Sequence, residues 1–165
     1  LDVRIKKLKA PEYSFINIDL VVYDFDGVMT DNTAFVDEDG KETVRVNRSD
    51  GLAVSLFRKK GIRQIILSTE KNNVVQRRAE KLRIENFHNI ENKKDFLLTF
   101  VRDHQISLEK VLYLGNDIND LEAMKMVGIP VCPNDAFPEI KAISKIVLEK
   151  NGGHGVIRSL YDLLK

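Results

Sequence analysis

The chain has 165 residues, with 26 Lys and Arg against 25 Asp and Glu, a formal net charge of +1 and 43% hydrophobic residues. A chain of this size hides roughly 70% of its unfolded surface on folding, enough for one core without metal or disulfide staples, so disorder and a miniprotein scaffold are excluded. Near-neutral charge offers no broad basic field to a nucleic-acid backbone, and apolar runs such as Leu20 to Tyr23 fall far short of the ~20 residues that a spanning helix needs. Neither nucleic acid nor membrane is therefore an expected partner, and with no signal peptide visible the cytoplasm is the default location.

Cys132 is the only cysteine, so the chain has neither an intrachain disulfide nor a cysteine-built zinc site. The first residue is Leu1 rather than Met, and the stretch from Arg4 to Lys9 is basic. Residues 1–16 read as a lead or linker, and 17–165 as one domain.

Apolar runs rich in Val and Ile then alternate with amphipathic stretches. Ile18 to Tyr23 reads as a first buried strand. Thr33 to Val36 and Thr43 to Val46 flank the polar loop Asp37-Glu-Asp-Gly-Lys41, a hairpin signal that makes residues 31–47 a small flap. Asp50 or Ser49 caps a helix running to about Lys60, Gly61 stops it, and Ile62 to Leu67 is the next strand. Helices follow near Asn73 to Leu82, Lys93 to His104, Leu121 to Met126 and Gly155 to Leu164. Between them lie apolar runs around Phe87, Val111 to Leu114, Ile129 to Val131 and Ile146 to Leu148. This rhythm predicts a three-layer, Rossmann-like α/β fold with a mostly parallel sheet, helices on both faces and a small hairpin flap. In such sheets ligands sit beyond the carboxyl ends of the strands, so the residues just after each strand are the informative ones.

After the first strand comes Asp24-Phe-Asp26-Gly27, two carboxylates one residue apart where the chain must turn. After Val111 to Leu114 comes Gly115-Asn-Asp-Ile-Asn-Asp120. Each has an ordinary explanation, an acidic turn in one case and a helix cap in the other. Brought to one sheet edge, however, their carboxylates repel unless a cation sits among them, and oxygen-only ligands suit Mg²⁺ rather than zinc. Ser68 and Thr69 close a third strand with hydroxyls able to donate to a phosphoryl oxygen. Lys93 or Lys94 opens a later helix with an ammonium able to neutralise developing charge.

In order, an apolar strand ending in DxDG, a Ser or Thr after a second core strand, a Lys opening a helix and a GxDxxD-like cluster resemble the four motifs of the haloacid dehalogenase superfamily. The resemblance covers nearly the whole chain. DFDGVMTD, the short flap, NRSDG at 47 to 51, GNDINDLEAM, the Pro133 to Pro138 segment and NGGHGVIR further resemble its small-cap phosphatases. These act on 8-phosphates of octulosonates or 9-phosphates of nonulosonates, and similar domains are fused to acylneuraminate cytidylyltransferases. The resemblance implies that Asp24 is the nucleophile, forming an aspartyl-phosphate, and that Asp26 protonates the leaving oxygen and then activates water. It implies that Ser68 holds a phosphoryl oxygen, Lys93 neutralises the transferring group and Asp120 positions Lys93. Mg²⁺ would be held by Asp24, the Asp26 carbonyl and a side chain of the Gly115 to Asp120 cluster. The family often has Asp directly after that Gly, whereas this chain has Asn116 followed by Asp117, leaving both as candidate ligands.

For the substrate, the resemblance adds Gly27, Thr69, Glu70, Arg77, Arg78 and His154 to the binding residues. An Arg pairs bidentately with the carboxylate of a 2-keto sugar acid, and Glu70, Arg77 and Arg78 favour a nonulosonate 9-phosphate over an octulosonate 8-phosphate. The chain has no room for a large cap domain, and the resemblance implies that a homotetramer, in which neighbouring copies close the site, encloses the substrate. The alternative is a weakly active or inactive assembly domain of a cytidylyltransferase, consistent with the basic lead and the missing initiator Met.

Overall fold

The computed structural model describes residues 14–164. The thirteen expected strands and helices, with one further helix, become eight strands and six α-helices among the described residues. In chain order these are β1 (Leu20–Tyr23), β2 (Thr30–Val36), β3 (Glu42–Val46), α1 (Arg48–Lys59), β4 (Arg63–Leu67), α2 (Val74–Leu82) and β5 (Glu85–Phe87). There follow α3 (Lys93–Asp103), β6 (Val111–Leu114), α4 (Ile118–Met124), β7 (Ile129–Cys132), α5 (Pro138–Ile143), β8 (Ile146–Val147) and α6 (Val156–Leu163). Six strands form one parallel sheet in the order β5-β4-β1-β6-β7-β8, and β2 pairs antiparallel with β3 in a separate hairpin.

The alternation of side chains along each strand divides the core in two. Val21, Tyr23, Ile66, Leu112, Leu114 and Val131 face α1, α2 and α6 through residues such as Ala53, Phe57, Val75, Ile157 and Leu160. Leu20, Val22, Ile65, Leu67, Val111 and Tyr113 face α3, α4 and α5 through Leu97, Val101, Met124 and Ile140. Burial on both faces is why these strands read as unbroken apolar runs rather than alternating ones. The chain runs outward from β1 to β4 and β5, then crosses back to β6 and runs the other way, so the switch point lies between β1 and β6.

Several boundaries differ from the sequence expectation. Asn47 caps α1, its Oδ1 accepting from the Ser49 N–H at 2.9 Å, while Asp50, expected as a cap, is buried in the first turn. The hairpin begins at Thr30 rather than Thr33, and α4 begins at Ile118 because Asp117 caps it. The helix α5 was not expected; Pro138 opens it, with φ already suited to the first helical position. Residues 1–13 of the expected lead lie outside the described residues. Phe15, assigned to that lead, instead packs with Phe57 and Tyr161 at ring-centroid separations of 5.9 and 5.1 Å, so the domain extends at least to it.

Candidate active site

Because parallel strands all present their carboxyl ends at one edge, Asp24 after β1, Ser68 after β4 and the Gly115 to Asp120 turn after β6 converge there. Lys93, the first residue of α3, enters from the side. Lys93 is 1% exposed, and its Nζ lies 2.8 Å from Asp24 Oδ1 and 2.7 Å from Asp120 Oδ1. One buried cation between two buried carboxylates leaves net negative charge in a low-dielectric place. Burial and the Asp120 charge consequently push the Asp24 carboxyl well above the usual carboxylate range, against the pull of Lys93. Lys93, despite its burial, is held charged by Asp24 and Asp120.

Asp120 is fixed from every side. Tyr113 Oη donates to its Oδ1 at 2.8 Å, and the Asn116 N–H donates to its Oδ2 at 3.0 Å. Together with Asp117 it forms a reciprocal capping box at the start of α4. The Asp117 carboxylate accepts from the Ile118 N–H at 2.6 Å and is thus engaged with the helix terminus.

Asn116 instead turns inward. Its side-chain amide comes within 3.2 Å of Asp24 Oδ2 and 2.9 Å of the Asp26 carbonyl oxygen. With its NH₂ on that side it donates to both; with its oxygen there, three oxygens face one point. An all-oxygen set containing one carboxylate, one backbone carbonyl and one amide suits a hard divalent cation. Gly27 makes this approach feasible: its φ is +79°, and a Cβ would stand 1.9 Å from the Asn116 amide.

Asp26 sits at the mouth. Thr30 Oγ1 donates to its carboxylate at 3.2 Å and accepts from the Gly27 N–H at 3.3 Å, which clips the turn shut. Burial raises the Asp26 pKa, and Glu70 and Glu42 add to the rise, the direction a proton donor requires. Beside it opens a cavity of ≈ 280 Å³ lined by Asp26, Asn32, Thr33, Ala34, Glu42, Val44, Glu70, Asn72 and Val74. Ser68 is buried, and its Oγ accepts from the Glu70 N–H at 3.1 Å, leaving the hydroxyl proton free to be donated. Thr69 Oγ1 accepts from Asn119 at 3.2 Å.

Other expected site residues lie apart. Arg77 is exposed and ion-paired with Glu80 at 3.1 Å. Arg78 turns toward α1, donating to the Asn47 carbonyl at 2.9 Å. Within one chain neither joins Asp24. His154 is exposed; its Nδ1 lies 2.7 Å from the Gly152 carbonyl and its Nε2 3.3 Å from Arg45, which also pairs with Asp31 at 2.5 Å. Nδ1–H therefore donates to Gly152 and Nε2 accepts from Arg45. Thr30 and Tyr113 were missed in the sequence. Tyr113 carried a faint signal, a polar-tipped side chain in an otherwise aliphatic strand; Thr30 lay within the DFDGVMTD string without being given a role.

A family model for haloacid dehalogenase-like hydrolases matches residues 58–160. The chain belongs to the haloacid dehalogenase-like hydrolases. It is an enzyme of the phosphoric monoester hydrolase class. Among its relatives, the 3-deoxy-D-manno-octulosonate 8-phosphate phosphatase of Escherichia coli strain K12 is 30% identical over 151 residues, covering 90% of this chain and 79% of that protein. Among solved structures, a HAD family hydrolase from Streptomyces avermitilis superposes with a TM-score of 0.90 at 40% identity, covering 94% of this chain and 88% of that one. The 3-deoxy-D-manno-octulosonate 8-phosphate phosphatase of Moraxella catarrhalis, in complex with magnesium, phosphate and KDO, superposes with a TM-score of 0.86 at 27% identity, covering 90% and 86% of the two chains.

Proposed function

We propose that this hydrolase removes the terminal phosphate of a 3-deoxy sugar acid, the 8-phosphate of an octulosonate first, with Asp24 as nucleophile. The observation that carries this reading is the buried Asp24–Lys93–Asp120 chain, at 2.8 and 2.7 Å, opening onto Asp26 and Asn116. The names of the relatives from Escherichia coli and Moraxella catarrhalis support the choice of sugar acid.

Asp24, Asp26 through its carbonyl, and Asn116 would hold a divalent cation, with Mg²⁺ the ion that suits all-oxygen ligands; Asp117 serves the α4 terminus. When bound, the ion supplies the positive charge that lets an anionic nucleophile meet a phosphoryl dianion. Asp24 attacks phosphorus and the bond to the sugar oxygen breaks, giving an aspartyl-phosphate. Asp26, whose pKa burial raises, gives a proton to the departing alkoxide, then takes one from the water that attacks phosphorus and breaks its bond to Asp24 in the second step. Ser68 donates its hydroxyl proton to a phosphoryl oxygen, and Lys93 offsets the charge spread over the others.

Among the described residues, the cavity beside Asp26 is lined by Glu42 and Glu70 but by no Lys or Arg, so a substrate carboxylate placed there needs a cation from elsewhere. A homotetramer supplies it, with Arg77 and Arg78 of a neighbouring copy as the candidate partners. The 9-phosphate of a nonulosonate competes as substrate, because Glu70 does line this cavity. The test is phosphate release by the purified chain, with and without Mg²⁺, from octulosonate 8-phosphate, nonulosonate 9-phosphates and simple sugar phosphates. Mg-dependent release from the octulosonate, abolished in Asp24→Asn, is the expected result. Faster turnover of a 9-phosphate moves the substrate to the nonulosonates, and no release from any compound favours the assembly domain of a cytidylyltransferase.

A further inference from the structure

The NRSDG segment at residues 47–51 contributes no group to the chemistry above, yet Asp50 within it is 1% exposed. Its Oδ1 accepts from the Arg158 N–H at 2.9 Å, across 108 residues of sequence, and the backbone N–H groups of Ile157 and Gly155 face the same carboxylate. These are the free amides of the first turn of α6, whose own cap residue, Gly155, has no side chain to satisfy them. Asp50 of α1 thus acts as the missing cap of α6, and its charge matches the positive end of that helix.

What precedes α6 gives this cap a second consequence. The loop from Gly152 to Gly155 lies directly on the turn that follows Asp24 and Asp26. The Gly153 N–H donates to the Val28 carbonyl at 2.9 Å. At Gly152 an added Cβ would stand 2.0 Å from the Gly27 carbonyl oxygen, so backbone meets backbone. On its other side, Gly155 packs toward Ser49 of α1. The 27–31 turn carries Thr30, which holds the Asp26 carboxylate, and Gly27, against which Asn116 fits.

We propose that Asp50 is a positioning residue for the catalytic turn: by fixing the N-terminus of α6 it presses the Gly152–Gly155 loop onto residues 27–31 and so sets the place of Asp26. This deepens the phosphatase reading and rests on it. Two further facts fit a group kept for its geometry. Asp50 Oδ2 has no hydrogen-bond partner among the described residues, nor has the buried Nε of Arg78 on α2. An apolar residue would avoid that cost, so the acceptor at Oδ1 is what the position retains.

The experiment compares wild type, Asp50→Ala and Asp50→Asn, well below their melting temperatures, in two measurements. The first is steady-state phosphate release from octulosonate 8-phosphate with Mg²⁺; the second is amide hydrogen exchange without substrate. In Asp50→Ala, kcat falls about 10- to 100-fold with KM little changed, the scale set by small misplacements of reacting groups. Exchange accelerates at Gly153, Arg158 and the 28–30 amides while the central strands keep their protection. Asp50→Asn, which retains an acceptor oxygen, restores most of both. An Asp50→Ala enzyme with the kcat of wild type overturns the proposal, and so does a loss of protection spread evenly over the sheet, which marks general destabilisation. If wild type releases no phosphate, the phosphatase reading fails, and the exchange pattern still decides whether Asp50 holds the turn.

Discussion

Lys93 and the two carboxylates around it cannot be treated as a simple stabilising ion pair. All three groups are at most 3% exposed, so each has surrendered its hydration, and the attraction between them chiefly repays that loss. Removing the ammonium while leaving Asp24 and Asp120 in place is far worse than never burying them. Lys93→Met is expected to abolish turnover and to lower the unfolding free energy by about 3–5 kcal/mol in urea denaturation. Asn116 invites the opposite change. Its amide meets Asp24 and the Asp26 carbonyl without bringing charge. Asn116→Asp should therefore tighten Mg²⁺ binding in calorimetry and destabilise the metal-free protein, where a further carboxylate joins the acidic edge. Binding in wild type should also release protons and strengthen as pH rises, because the metal competes with the proton that burial favours on Asp24.

At the scale of elements, the contact of α1 with α6 through Asp50 has a pH signature. Burial pushes this carboxyl from 3.8 up to about 6, against the backbone amides of α6 that favour its ionised form. A folded-state pKa above the unfolded one means that the folded chain binds the extra proton between those values. Stability is then greatest below pH 3.8 for this group and declines as pH rises to about 6. The decline is on the order of 2–3 kcal/mol, at 1.36 kcal/mol per pKa unit. Asp50→Asn should flatten that part of the curve of unfolding free energy against pH, measured by urea titration between pH 4 and 7. An unchanged slope would assign the pH dependence to other carboxylates. The flap is a different kind of element: Phe35 and Val36 are 74% and 63% exposed on it, so its strands hold each other by their ladder and contribute little to the core.

For the molecule as a whole, the proposed cation, held by groups that follow β1 and β6, would tie together the two halves that meet at the switch point. Any ligand bound only by the folded state stabilises it, by about 2.7 kcal/mol at a concentration of 100 Kd. Mg²⁺ should raise the melting temperature of wild type in a thermal scan and leave that of Asp24→Asn nearly unchanged. Equal shifts in both would place the ion elsewhere on the surface.

The chain alone determined the layer order and the chemistry-bearing positions, because each rests on local rules. Unbroken apolar runs separated by helix-length amphipathic stretches specify buried parallel strands and crossover helices. A parallel sheet in turn sends the residues after its strands to one edge, which is why Asp24, Ser68 and Asp120 were legible as one cluster, whereas the choice of Lys93 over Lys94 came from the resemblance to the haloacid dehalogenase motifs. Boundaries were less so: Asn47 and Ser49 are both good caps by type, and only the hydrogen bond to the Ser49 N–H separates them. The choice between Asn116 and Asp117 was also out of reach, since adjacent side chains leave a turn in different directions and only the backbone conformation decides which one faces Asp24. Arg77 and Arg78 looked alike as two cations on one helix, but the rotation of α2 against α1 sends one to solvent and the other to the Asn47 carbonyl. Asp50 shows the same limit most plainly. Nothing near it in sequence marks it as the cap of a helix more than a hundred residues away, because that contact exists only once α1 and α6 pack on the same face of the sheet.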